Sequence, residues 1–161
     1  IFSNIKSWQS NIGYVPQTIY LTDDSIKNNI ALGLPENKIN ISKINKAIDL
    51  SQLSSFVKGL DRGIDTIVGE KGIKLSGGQR QRIGIARALY HEPAIIMMDE
   101  ATSSLDNQTE NELLESIYAL KKERTMIIIA HRYSTIQNCD RIIKMKDGKI
   151  LRKPKGKPLV F

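Results

Sequence analysis

No apolar run in this sequence is long enough to cross a bilayer. The longest, Ala94–Met98 and Met126–Ala130, fall far short of the roughly 20 residues a spanning helix needs. The opening IFSNIKSWQ lacks the basic segment and apolar core of a secretory signal. Cysteine is almost missing: Cys139 stands alone, so no internal disulfide can form, which points to a reducing compartment. Its expected role is that of a small, buried or half-buried thiol. Low-complexity stretches and internal repeats are also missing, and 40% hydrophobic with 25% charged residues is globular composition. The 161 residues suit one domain with a sizeable core. Acids are outnumbered by bases, giving a net charge of +7. Much of that excess sits in RKPKGK, Arg152 to Lys157, which reads as a solvated run or as a neighbour of an anionic membrane face. The first residue is Ile1, not methionine, so the chain is expected to be part of something longer.

What is present falls into ordered segments. Asn11–Val15 reads as a short strand, ended by Pro16, which also holds Val15 extended. Asp24 or Ser25 can cap a short helix that stops near Gly33 and Pro35. From Ser42 to about Gly59, Ile44, Ala47, Ile48 and Phe56 suggest helical packing with a break near Ser51. Further on, AIIMM (Ala94–Met98) and MIIIA (Met126–Ala130) read as strands buried on both faces. Between them Asp106 can cap a helix carrying Leu113, Leu114, Ile117 and Leu120 at helical spacing. This is a βαβ unit with a parallel pair. Finally RIIKM and KIL flank a Lys146-Asp147-Gly148 turn, a hairpin signal.

The chemistry begins at LSGGQRQRIGIARAL, Leu75 to Leu89. Ser76 and Gln79 form an S-x-x-Q capping box, which predicts a helix starting at Gly77. Gly77 and Gly78 are poor helix formers, but they leave bare backbone at the positive end of the helix dipole, where an anion can approach. A mere tight turn is the other account of the two glycines. Ile83, Ala86 and Leu89 should pack inward, while Gly84 and Ala88 permit close neighbours. AIIMM then runs into Asp99-Glu100, two acids at the carboxyl end of a parallel strand, the edge where open α/β sheets bind ligands. One carboxylate there suits a nucleotide's Mg²⁺, and its neighbour can orient or deprotonate a water; two acids can equally cap a helix. His131 and Gln17 each follow another strand, so both can converge on the same crevice or remain structural.

In this order the motifs resemble the nucleotide-binding domain of an ATP-binding cassette (ABC) transporter, from about Asn11 to Leu151. The resemblance implies an α/β, P-loop NTPase-like fold: a mostly parallel sheet with helices, plus a helical subdomain. It places that subdomain at about 20–90, a catalytic core at 91–151 and a basic tail at 152–161. LSGGQ resembles the family signature, so Leu75, Ser76, Gly77, Gly78 and Gln79 are expected to meet ATP. IIMMDE looks like the Walker B strand, implying that Asp99 organises Mg²⁺ and Glu100 polarises the attacking water. ATSSLD, ending at Asp106, is similar to the D-loop at the dimer interface, making Asp106 a further nucleotide-side residue. IIIAH implies that His131 is the switch histidine on the γ-phosphate. YVPQ implies that Gln17 is the Q-loop glutamine, near both Mg²⁺ and the membrane partner. TIVGEKG (Thr66–Gly72) resembles the X-loop of exporters, with Glu70 the expected contact to transmembrane coupling helices. The partners implied are a second, head-to-tail nucleotide-binding domain and a transmembrane domain, with no nucleic acid. The location implied is the cytoplasmic face of a membrane, bacterial and inner. QTIYLTDDSIKNNIALG is similar to exporters that flip lipids or lipid-linked oligosaccharides.

One family motif has no match. G-x-x-x-x-G-K-[ST] does not occur: Gly148-Lys149 and Gly156-Lys157 lack the spaced glycine and the hydroxyl. In the family this Walker A loop precedes the Q-loop, so the sequence reads as the carboxyl-terminal part of the domain. It is expected not to hydrolyse ATP by itself. The Walker A strand is also expected beside AIIMM and MIIIA, so a chain without it should expose apolar strand edges and associate. The tail lacks the family's usual Gly-Thr-His-Glu ending. Two other readings stay open: a soluble ABC-type ATPase of DNA repair or translation, and a non-enzymatic fragment.

Overall fold

The structure is a computed structural model that describes residues 4–102, 105–120 and 123–151. The tail 152–161, and Ser103 and Ser104 of the ATSSLD stretch, lie outside the described residues. A short helix α1 (Ile5–Ser10) leads into β1 (Ile12–Val15), where Pro16 ends the ladder by removing a donor. Helix α2 (Ile26–Ile30) starts at Ser25, whose hydroxyl accepts from the Asn28 N–H, so Ser25 is the cap. Asp24 supports it by accepting from the Ser25 N–H at 2.6 Å. The long helical stretch divides into α3 (Ile41–Leu50) and α4 (Ser54–Lys58). Gln52, at φ 58°, makes the break expected near Ser51.

Helix α5 (Gly77–Tyr90) is the spine of the molecule. Ile83 and Ala86 are fully buried and Leu89 nearly so. α5 packs on α2, α3 and β1, and its last residue, Tyr90, accepts from the Asn40 N–H at the start of α3. β2 (Ile95–Asp99), α6 (Asn107–Ala119) and β3 (Thr125–Ile129) complete the βαβ unit, with α7 (Tyr133–Ile136) after it. The three strands are parallel in the order β1-β2-β3. Leu113, Leu114 and Ile117 bury the inner face of α6 as the spacing requires. Among the described residues no helix is long and apolar enough to cross a membrane.

Three expectations need correction. The strands are not buried on both faces. Gly13, Val15, Ile96 and Met98 are buried, but Tyr14, Ile127 and Ile129 on the opposite face are 54%, 47% and 52% exposed. Apolar sequence reports what a surface can accept, whereas burial depends on what covers it, and α5 covers only one side. The second concerns the sheet edge. β2 has β1 on one side and β3 on the other, so a further strand can join beside MIIIA but not beside AIIMM. Third, the carboxyl-terminal hairpin is shorter than RIIKM and KIL suggest. Its strands, β4 (Met145–Lys146) and β5 (Lys149–Ile150), form a separate exposed pair. Asp147 and Gly148 supply the two positive φ angles, 49° and 72°, that its turn needs.

Candidate functional site

Parallel strands send all their carboxyl ends to one edge. The register aligns Val15 with Met98 and Met98 with Ile128. Gln17 and Glu100, each two residues further on, and His131, three further on, therefore emerge together. The Gln17 amide donates to Glu100 Oε2 at 2.8 Å, and His131 Nε2 bonds Glu100 Oε1 at 2.9 Å. Both carboxylate oxygens are thus engaged from neighbouring strand ends. Glu100 is itself at φ 48°, a left-handed conformation that costs a side-chain-bearing residue about 1–2 kcal/mol. Its N–H donates to Ile129 O at 2.9 Å, and Gln81 Nε2 approaches its carbonyl at 3.5 Å. The backbone is fixed from both sides. The His131 side chain, by contrast, is 85% exposed, so packing does little to hold it.

Asp99 lies one residue earlier, on the open face of the sheet. Its Oδ2 accepts from the Tyr14 hydroxyl at 3.4 Å. Among the described residues no group of three or more His, Cys, Asp or Glu is arranged to hold a metal ion. A divalent ion here would take one or two protein ligands, a donor set that suits Mg²⁺ arriving with a nucleotide.

The glycine-fronted helix start has the geometry its sequence calls for. Ser76 Oγ accepts from the Gln79 N–H at 3.2 Å, and Gln79 Oε1 accepts from the Ser76 N–H at 2.8 Å. Gly77 borders a cleft of about 190 Å³ shared with Gln17, Thr18, Ile19, Arg80 and Gln81. Gly78 follows it, half-buried. Leu75, in contrast, is 9% exposed and belongs to the core; its carbonyl faces Arg80 Nη1 at 2.7 Å. Asp106 stands at the start of α6. It caps α6 by accepting from the Thr109 N–H at 3.0 Å, and that backbone bond, then the Thr109 side chain, holds its carboxyl below the ordinary value. Glu70 opens a 3-10 turn, Glu70–Gly72, in which Glu70 and Lys71 are exposed and Gly72 is buried.

Sequence reasoning left the arginines of this helix without a role. Arg80 donates to the Leu75 carbonyl, Arg82 to that of Gln52 at 2.6 Å, and Arg87 to those of Asn29 and Tyr20 at 2.8 and 3.0 Å. Each ties α5 to a different part of the chain, Arg87 to helix α2 and to the segment before it. Burial lowers the pKa of Arg82 and Arg87 from the usual guanidinium value. Backbone acceptors carry no residue signature, so the only available signal was the density of arginine itself. Cys139 is a free, half-buried thiol 3.8 Å from the Tyr118 hydroxyl.

Comparison with known proteins identifies the family of the chain. Residues 2–103 match the family described as ABC transporter. The chain is 42% identical over 149 residues to an ATP-dependent lipid A-core flippase of Photorhabdus laumondii, covering 92% of this chain and 26% of that protein. To the ABC transporter ATM1 of Toxoplasma gondii it is 44% identical over 147 residues, covering 91% of this chain and 13% of that one. Among solved structures, a bacterial Atm1-family ABC exporter with ATP bound superposes at a TM-score of 0.83 and 40% identity, covering 91% of this chain and 25% of that one. The chain therefore spans about a quarter of the length of the flippases it matches.

Proposed function

Because the chain belongs to the ABC transporter family, we propose that it carries ATP-hydrolysing machinery of an exporter, in the helical and catalytic parts placed at about 20–90 and 91–151. The observation that carries this reading is the convergence of Gln17, Glu100 and His131 from three adjacent strand ends. A solved exporter of similar fold contains ATP, which supports the nucleotide.

Glu100 is the group that orients the attacking water and accepts its proton. Gln17 and His131 hold its two oxygens, fixing the carboxylate's direction before water arrives. To contact the terminal phosphate, the exposed His131 imidazole would trade its bond to Glu100 for one to the phosphate. Asp99 and the Gln17 carbonyl oxygen supply hard donors that would hold Mg²⁺ through its waters. When bound, Mg²⁺ neutralises charge developing on the phosphoryl oxygens. The N–H groups at Gly77 and Gly78, in the first turn of α5, lie at a dipole end suited to the phosphate of a second, head-to-tail copy, with Asp106 as a further nucleotide-side residue. Nucleotide then joins the two copies, and hydrolysis releases them.

The turn at Glu70 and the segment at Gln17 are the contacts proposed for transmembrane coupling helices. This puts the domain on the cytoplasmic face of a membrane, bacterial and inner. Relatives named as lipid A-core flippases favour a lipid-like cargo. Mg²⁺-dependent ATP hydrolysis by the full-length protein tests the reading. Glu100→Gln is expected to lower turnover at least about a hundredfold; wild-type turnover in that variant would overturn it.

A further inference from the structure

Glu110 is the most deeply buried carboxylate in the described structure that the proposed chemistry does not use. It sits on α6, is 2% exposed, and accepts three hydrogen bonds. Thr102 and Thr135 hydroxyls donate to Oε1 at 2.8 and 2.7 Å, and Arg132 Nη1 donates to Oε2 at 2.6 Å. A buried carboxylate is costly unless paired and hydrogen-bonded. Burial pushes its pKa up, but the bonds from Thr135, Thr102 and Arg132 outweigh that and hold it below the ordinary value, so the group is ionised.

The origin of the three donors matters more than their number. Thr102 lies two residues after Glu100, Arg132 directly follows His131, and Thr135 is on α7. Arg132 also reaches the carbonyl of Leu105 at 3.5 Å, just before the Asp106 cap. One carboxylate thus ties together the chain leaving β2 and the chain leaving β3, from behind the site. His131 has an 85% exposed side chain and needs such a tie, because its place beside Glu100 depends on the backbone that carries it.

We propose that Glu110 is a positioning residue: through Thr102, Arg132 and Thr135 it sets the spacing of Glu100 and His131. This inference rests on the ATPase reading of the same site. A displacement of about 1 Å at a reacting pair can cost a hundredfold in rate, whereas nucleotide binding, spread over many contacts, would change little.

The test is steady-state ATP hydrolysis by the full-length protein. Glu110→Gln keeps the shape but sets an amide against Arg132. Thr135→Val removes one donor at nearly constant volume, and so provides a second probe should Glu110→Gln fold poorly. Both are expected to lower kcat roughly tenfold or more, with KM for ATP within about twofold; Thr135→Val should also lower the urea midpoint while remaining folded under assay conditions. Thr135→Ser, which restores the hydroxyl, should recover kcat. Glu110→Gln combined with Arg132→Gln should cost no more than Glu110→Gln alone. Unchanged kcat in both probes, or a loss that merely follows the fraction of unfolded protein, overturns the proposal while Glu100-dependent turnover stands. Turnover indifferent to Glu100→Gln overturns the ATPase reading, and this inference with it.

Discussion

Gly84 of α5 faces Ile19 so closely that a Cβ added to the glycine would lie 2.3 Å from Ile19 Cδ1 and 2.7 Å from its Cγ1. Ile19 is two residues past Gln17, so this contact seats the segment that delivers Gln17 to Glu100. Gly84→Ala gains about 1 kcal/mol of helix propensity and loses about 1–3 kcal/mol to overpacking. A net loss is expected, seen as a lower urea midpoint. Adding Ile19→Ala should cost less than the sum of the two single changes; strict additivity would mean the two residues do not press on one another.

Arg87 offers a second probe. Its guanidinium donates to the Asn29 and Tyr20 carbonyls at once, a fork that an ammonium cannot reproduce. Arg87→Lys is expected to destabilise by about 1–3 kcal/mol, nearly as much as Arg87→Ala, in denaturant titrations. A lysine variant as stable as wild type would show that charge alone suffices.

The pH dependence of stability should show Glu92. Lys46 first and then Lys43, bonded to its oxygens at 2.7 and 3.1 Å, pull its carboxyl from the usual 4.5 down to about 2. A folded-state pKa lowered in this way gives stability that is fully present above about pH 4.5 and is lost as pH falls toward 2. Wild type and Glu92→Gln should therefore converge in stability across that window and differ most above it. All three groups are exposed, so salt should shrink the difference.

The open face of the sheet predicts association. Tyr14, Ile127 and Ile129 form a partly exposed apolar surface next to the free edge of β3, a recognised hazard. The 161-residue chain alone is expected to sediment as oligomers, and Ile127→Lys with Ile129→Lys should shift it toward monomer. A wild-type monomer with a sharp cooperative melt would contradict this.

These cases mark what was legible. The Ser76–Gln79 capping box and the Asp106 cap were readable because each closes within three residues. The meeting of Gln17, Glu100 and His131 followed from strand ends in a parallel sheet. The two-sided burial expected of MIIIA failed because its pattern is the same whether or not a second layer is present. Tyr14 on Asp99 and the donors around Glu110 were invisible for a different reason. They join positions 85, 8, 22 and 25 residues apart, through side chains common on any surface.

If Glu100, at the convergence of three strand ends, drives phosphate cleavage, the nucleotide that the protein retains reveals it. Full-length wild type and Glu100→Gln are incubated with Mg²⁺ and ATP, then passed rapidly through gel filtration. Glu100→Gln is expected to elute as a stable dimer holding intact ATP, while wild type holds ADP or none. ADP in the variant, formed at the wild-type rate, would contradict that role of Glu100.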